Sequence, residues 1–171
     1  MGEATATADG HHVVIDGRRW RATDPHIPER LRAELVSELM SARRAVNLGQ
    51  RAGDDAAVAD ARRRVHDAKV ALGERGEPWW DHPSDAVLAA RIAAAMRALL
   101  RHRAETSTIC PSDAARVAGG TRWRDAMGIA RQVAFELHES EILEVRQRGA
   151  RVDQPADAGG PLRIARGNAF T

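Results

Sequence analysis

The chain has little cysteine, little lysine, few aromatic residues and no long apolar run, and each shortage excludes something. Cys110 is the only cysteine among 171 residues, so neither an internal disulfide nor a Cys-rich zinc site can form. No apolar run approaches the ~18–20 residues that cross a bilayer, and no charged start followed by an apolar stretch reads as a signal peptide. A cytoplasmic protein without a membrane partner is therefore expected. The seven histidines form no two-ligand helical motif: His138-Glu139 lacks a second histidine four residues on. Gly119-Gly120 lacks the lysine and spacing of a phosphate-binding loop, so no metal and no cofactor is implied. Lysine occurs once, at Lys69, which leaves 25 of the 26 basic residues as arginine. With abundant alanine, that skew fits GC-rich codon usage and is not evidence of phosphate binding.

What is present, 43% apolar and 29% charged residues, suits a soluble globular chain of one domain or two small ones. The net charge of +2 is too small to imply a partner without knowing where the charges lie. Divided at Ser84, the first part carries −1 and the second +3.

Residues 1–10 are small and polar without period and read as a mobile tail. Within 11–76, Val13-Val14-Ile15 and Arg18-Arg19-Trp20-Arg21 flank Asp16-Gly17, the signature of a β-hairpin, with Trp20 as its anchor. Pro28 suits a first helical turn. Leu31, Leu35, Leu39, Ala42 and Val46, then Val58, Ala61, Val65, Ala68 and Leu72, recur at three- and four-residue steps. They predict two helices, the first stopping at Gly49 and the second near Arg75-Gly76, paired antiparallel with a narrow seam. That seam is completed by the other half of the chain or by a second copy. Arg62, Arg63 and Arg64 read as a solvated face. Residues 77–84 form a connector rich in Trp and Pro, where Trp79 and Trp80 either pin the two halves together or serve as an interaction platform.

From Ser84 or Asp85 a helix carries Leu88, Ile92, Ala95, Met96 and Leu99 on one face to His102. Thr106 to Ile109 reads as a short strand, Asp113 to Ala118 as a helix closed by Gly119-Gly120, and Thr121 as the cap of a third helix bearing Trp123, Met127, Ala130, Val133, Ala134 and Leu137. Ile142 to Gln147, a turn at Arg148-Gly149, Ala150 to Asp153 and Leu162 to Arg166 read as an antiparallel ribbon. The fold class expected is mainly helical α+β: an N-terminal β-hairpin and antiparallel helical pair followed by a C-terminal winged helix-turn-helix over 85–167.

Thr108-Ile109-Cys110-Pro111-Ser112-Asp113-Ala114-Ala115-Arg116, Trp123-Arg124, Arg131 and Gly160-Pro161-Leu162-Arg163 resemble a bacterial domain-of-unknown-function family of small winged-helix-like proteins. The resemblance covers about half of the chain, and the first half resembles an extension seen in GC-rich bacteria. It implies a fold and no activity.

A winged helix offers its third helix to the DNA major groove and its wing to the backbone. Opposite the apolar face of that helix lie Arg124, Gly128, Arg131, Gln132, Phe135 and Glu139. Arg124, Arg131 and Gln132 are the candidate base readers, Arg122 a phosphate contact, and Arg148 and Arg151, with Arg146, the basic edge of the wing. Double-stranded DNA is the partner these residues suggest, for a binding module and not an enzyme. Phe135 and Glu139 suit a protein interface better, so contact with a protein partner or a second copy, through Phe135 or the helical seam, is the alternative. Cys110 sits before a helix start, where backbone N–H groups favour a thiolate, yet between Ile109 and Pro111 it reads better as a small packed thiol. Ser112-Asp113 reads as a capping device.

Overall fold

Asp16 and Gly17 adopt φ of 50° and 73°, the paired left-handed conformation of a two-residue hairpin turn. They join β2 (His12–Ile15) to β3 (Arg18–Arg21) with Ile15 opposite Arg18. The computed structural model describes residues 4–154 and 158–171. Within it the hairpin gains a third strand, β1 (Thr5–Ala6), paired with Val14 and Val13. This corrects the reading of 1–10 as a tail. The Gly10 amide donates to the Thr7 carbonyl at 2.9 Å and the Thr7 hydroxyl to Asp9 Oδ1 at 2.5 Å, folding the start of the chain back on β2; residues 1–3 lie outside the described residues. Trp20 is not the anchor expected of it. It stays 39% exposed beneath the Arg18 guanidinium, 4.2 Å from its centroid.

α1 (Glu29–Ala52) begins one residue after Pro28, which stands at the cap with φ −52° and ψ 136°. It does not stop at Gly49. A Cβ there would lie 2.9 Å from Val58 Cγ2, so the glycine serves the close approach of α1 to α2 (Asp55–Ala71). The helix ends instead at Gly53, where φ is 67°. Asp54 caps α2, accepting from the Ala57 amide at 2.9 Å, and α2 ends at Ala71, before the expected Arg75-Gly76. The two helices close their seam against α3 (Asp85–His102), capped by Ser84. Leu31, Leu35, Leu39, Ala68, Leu72, Ile92, Met96 and Leu99 belong to one buried cluster that continues into the C-terminal half. The part of the seam from Leu31 to Leu39 and from Ala68 to Leu72 is therefore completed within the chain.

Arginine–carboxylate pairs link the layers. Asp67 on α2, almost fully buried, receives Arg97 Nε and Nη2 at 2.9 and 2.6 Å and Arg101 Nη1 at 2.6 Å, both from α3. Arg103 reaches back to Glu34 on α1 at 2.8 Å, and Arg91 to Asp24 at 2.8 Å. Arg64 grips Glu38 with two bonds, which places it inside the helical pair and not on the solvated face expected for it.

After α3, the expected strand at Thr106–Ile109 reduces to a single bridge, Ile109 opposite Ile164. α4 (Pro111–Gly119) follows, with Pro111 in its first turn and the Asp113 carboxylate accepting from the Cys110 amide at 3.2 Å. The capping role expected for Asp113 is thus present. A 3-10 turn (Gly120–Arg122) precedes α5 (Met127–Glu139). The third helix therefore starts at Met127 and not at Thr121. β4 (Leu143–Gln147) turns at Arg148-Gly149, with φ of 52° and 86°, into β5 (Ala150–Arg151), and β6 (Arg163–Arg166) pairs with the other edge of β4. The molecule is α+β, about half helical, with five α-helices and two small antiparallel sheets among the described residues. No helix in them is long and apolar enough to cross a membrane.

Candidate functional site

α5 packs against α3, α4 and β4 through Ala130, Val133 and Ala134, whereas α1 and α2 pack against each other and against α3. His138 locks its last turn: the buried imidazole Nδ1 accepts from the Val145 amide at 3.2 Å, joining helix to strand. The opposite side of α5 carries Gly128 and Gln132 in solvent, and no atom lies within 4 Å of where a Cβ on Gly128 would sit.

The six candidate nucleic-acid residues fall into three situations. Arg122 and Arg124 precede α5, on the turn from α4, because the helix starts later than its periodicity suggests. Arg122 is exposed and paired to Asp125 at 3.0 Å. The exposed Arg124 guanidinium lies over the Trp123 ring, 4.6 Å from its centroid. Gln132 lies on the open side of α5, its amide donating to Glu136 at 2.9 Å. Arg131 is not open. It is half-buried and donates to the carbonyls of Gly160 at 3.2 Å and Ala158 at 2.6 Å. Together with Gln147, which donates to the Gly159 carbonyl, it holds residues 158–160 beside the helix. Arg148 is exposed at the tip of the β4–β5 turn, while Arg151 and Arg146 share Glu144, at 3.7 and 2.5 Å.

The candidate interaction residues are more enclosed than their sequence positions suggest. Phe135 is half-buried against the core, with the Arg131 guanidinium 5.7 Å from its centroid, so it offers no open apolar ring. Trp79 and Trp80 are also half-buried. The Trp79 indole donates to the Ala22 carbonyl at 3.0 Å, and Trp80 stacks on His11 at 4.0 Å with the rings 2° from parallel. They pin the connector to the N-terminal sheet, the anchoring task expected of Trp20.

Arg116 and Arg163, named above only for the resemblance, were not among the candidate site residues. Arg116, on α4, is exposed with its guanidinium 4.5 Å from the Trp123 centroid, so Arg116 and Arg124 both stack on one indole. Arg163 is exposed on β6 and donates to the Thr108 hydroxyl at 2.9 Å. The sequence held a signal for the first: Arg116 and Trp123 flank Gly119-Gly120, and a chain reversal at those glycines brings them together. Cys110 is half-buried at the start of α4.

These features define a helix-and-strand module: three helices, a three-stranded ribbon and an arginine-rich corner between α4 and α5. Residues 89–167 match the family model described as Protein of unknown function (DUF3253). The match runs from within α3 to just past β6, so that part of the molecule is similar to a family whose description assigns no activity. No curated protein matches the chain.

Proposed function

We propose that residues 85–167 form a winged helix-turn-helix that binds double-stranded DNA, with the α4–α5 corner and the open side of α5 toward the groove and the β4–β5 turn toward the backbone. One observation carries the reading. On the side of α5 away from the core Gly128 and Gln132 remain in solvent, Arg116, Arg122 and Arg124 are exposed just before the helix, and Arg148 is exposed at the hairpin tip. The order of the ribbon supports it: Ile109 bridges β6, β6 pairs with β4, and β4 with β5, so the strand between helices lies at one edge and the wing hairpin at the other.

The residues divide by role. Arg116, Arg122, Arg124 and Arg148 neutralise phosphate, Gln132 faces base edges, and Arg131 positions the wing loop without touching DNA. Glu136 and Glu139 lie toward the far end of α5, which assigns DNA to its first half. Contact with a protein through Phe135 or the helical seam has less support, since Phe135 lies against the core and α3 fills the seam at Leu31, Leu35, Leu39, Ala68 and Leu72.

The test is fluorescence anisotropy of a labelled mixed-sequence duplex at about 50 mM salt and above, with the full chain. Binding with a dissociation constant of order 10⁻⁴–10⁻⁶ M that weakens steeply with salt is expected. Arg124→Ala with Arg148→Ala lowers the salt slope by about 2. An unchanged anisotropy at the lowest salt overturns the reading.

A further inference from the structure

A cleft of about 670 Å³ opens between the Trp connector, the start of α3 and the α4–α5 turn, within the volume range of small-molecule sites. His11, Trp79 and Trp80 line one part of it. Trp79 stands nearly perpendicular to both neighbours, at 87° to His11 and 85° to Trp80, and so forms an aromatic corner with the stacked His11–Trp80 pair, which covers one face of Trp80. Leu88, Ala126 and Ile129 supply apolar lining elsewhere.

Apart from three histidines, His11, His26 and His82, the charge of the lining is one-sided. Each of its two guanidiniums faces a carboxylate, so both pairs are neutral overall: Arg91 with the buried Asp24 at 2.8 Å and Arg122 with the exposed Asp125 at 3.0 Å. Glu77, Asp81 and Asp85 remain, exposed and without an ion-pair partner among the described residues. An anion entering the cleft meets three uncompensated carboxylates. A cation meets those carboxylates together with aromatic π-faces, which attract cations independently of carboxylates. The aromatic cluster already draws one: the Arg21 guanidinium, which does not line the cleft, lies 5.8 Å from the Trp80 centroid.

We propose that this cleft binds a small organic cation, an ammonium group carrying an apolar or aromatic body. The ammonium lies against the Trp corner and the Asp81 side, and the body lies along Leu88 and Ile129. The proposal goes beyond DNA binding and does not rest on it, although Arg122 borders both sites.

The test titrates benzyltrimethylammonium into the full chain, without DNA, and follows the four indole N–H signals by NMR. Trp79 and Trp80 line the cleft, and Trp20 and Trp123 do not, so two signals report and two serve as controls. Saturable movement confined to Trp79 and Trp80 is expected, with no response to benzoate. Glu77→Gln with Asp81→Asn, at two exposed side chains that the fold does not use, weakens the response about three- to tenfold. Three outcomes overturn the proposal: no saturable shift up to about 10 mM, an equal response to benzoate, or unchanged affinity in the doubly neutralised variant.

Discussion

Between the helical pair and α3, Arg97, Arg101, Arg103 and Arg91 run into carboxylates that are themselves nearly covered, while at the α4–α5 corner and the β4–β5 turn Arg116, Arg122, Arg124 and Arg148 lie in water. The residue type is the same and the partners differ. A guanidinium brought out of water requires a matching acceptor, and the planar fork of arginine meets a carboxylate with two bonds. Arg97 does this with Asp67 and Arg103 with Glu34. At the corner the nearest partners are an indole face and the exposed Asp125, which cost little to leave. The difference teaches that a count of arginines says nothing about a polyanionic partner until the inward-facing ones are set aside.

The sharpest way to break this contrast is Asp67→Ala, which strands Arg97 and Arg101 without their carboxylate. A loss of about 3–5 kcal/mol in urea unfolding is expected, and a loss under 1 kcal/mol would place the pair with the exposed arginines. Arg131→Ala lies between the two groups, since it removes two bonds to loop carbonyls and the contact with Phe135. It should cost about 1–2 kcal/mol and speed amide exchange at Gly159 and Gly160. A smaller effect comes from pH. Burial opposes ionisation of Asp67, but the hydrogen bonds and charges of Arg97 and Arg101 outweigh it and hold the carboxyl below its ordinary range. A depressed folded value means stability that is present above the unfolded value near 3.9 and lost as pH falls through the folded one. The advantage of the native chain over Asp67→Asn should therefore shrink below about pH 4 in acid-unfolding curves. Least affected is Arg124→Ala, with stability within about 0.5 kcal/mol of native and a salt slope for duplex DNA reduced by about 1. A large loss of stability there would erase the distinction between corner and interior.

Legibility in the sequence followed the range of the interaction. Asp16-Gly17 and Arg148-Gly149 make their turns as read, because left-handed φ is a local demand. Ser84, Pro111 and Asp113 start their helices through groups within three residues. Gly49 misled because its signal was ambiguous: glycine ends helices, but it also allows two helices to touch, and only Val58 across the gap decides between these. The start of α5 misled because Trp123 has the right period for its apolar face, yet it serves as a ring for Arg116 and Arg124 in the turn before the helix. Trp20 misled for a similar reason, while Trp79 pins the connector, as one of its two readings had it. Both are large enough to anchor a sheet, and the one with a carbonyl in reach of its indole N–H took the task.

By itself the sequence determined the order of helices and turns, the apolar faces that meet in the core, and the shortage of cysteine and long apolar runs that excludes whole classes of protein. Only the tertiary structure decided which arginines are interior struts and which face water. Arg91 finds Asp24 across 67 residues and Arg103 finds Glu34 across 69. A local pattern registers the chain within a few positions of itself, whereas the environment of a charge is set by whatever the fold brings beside it.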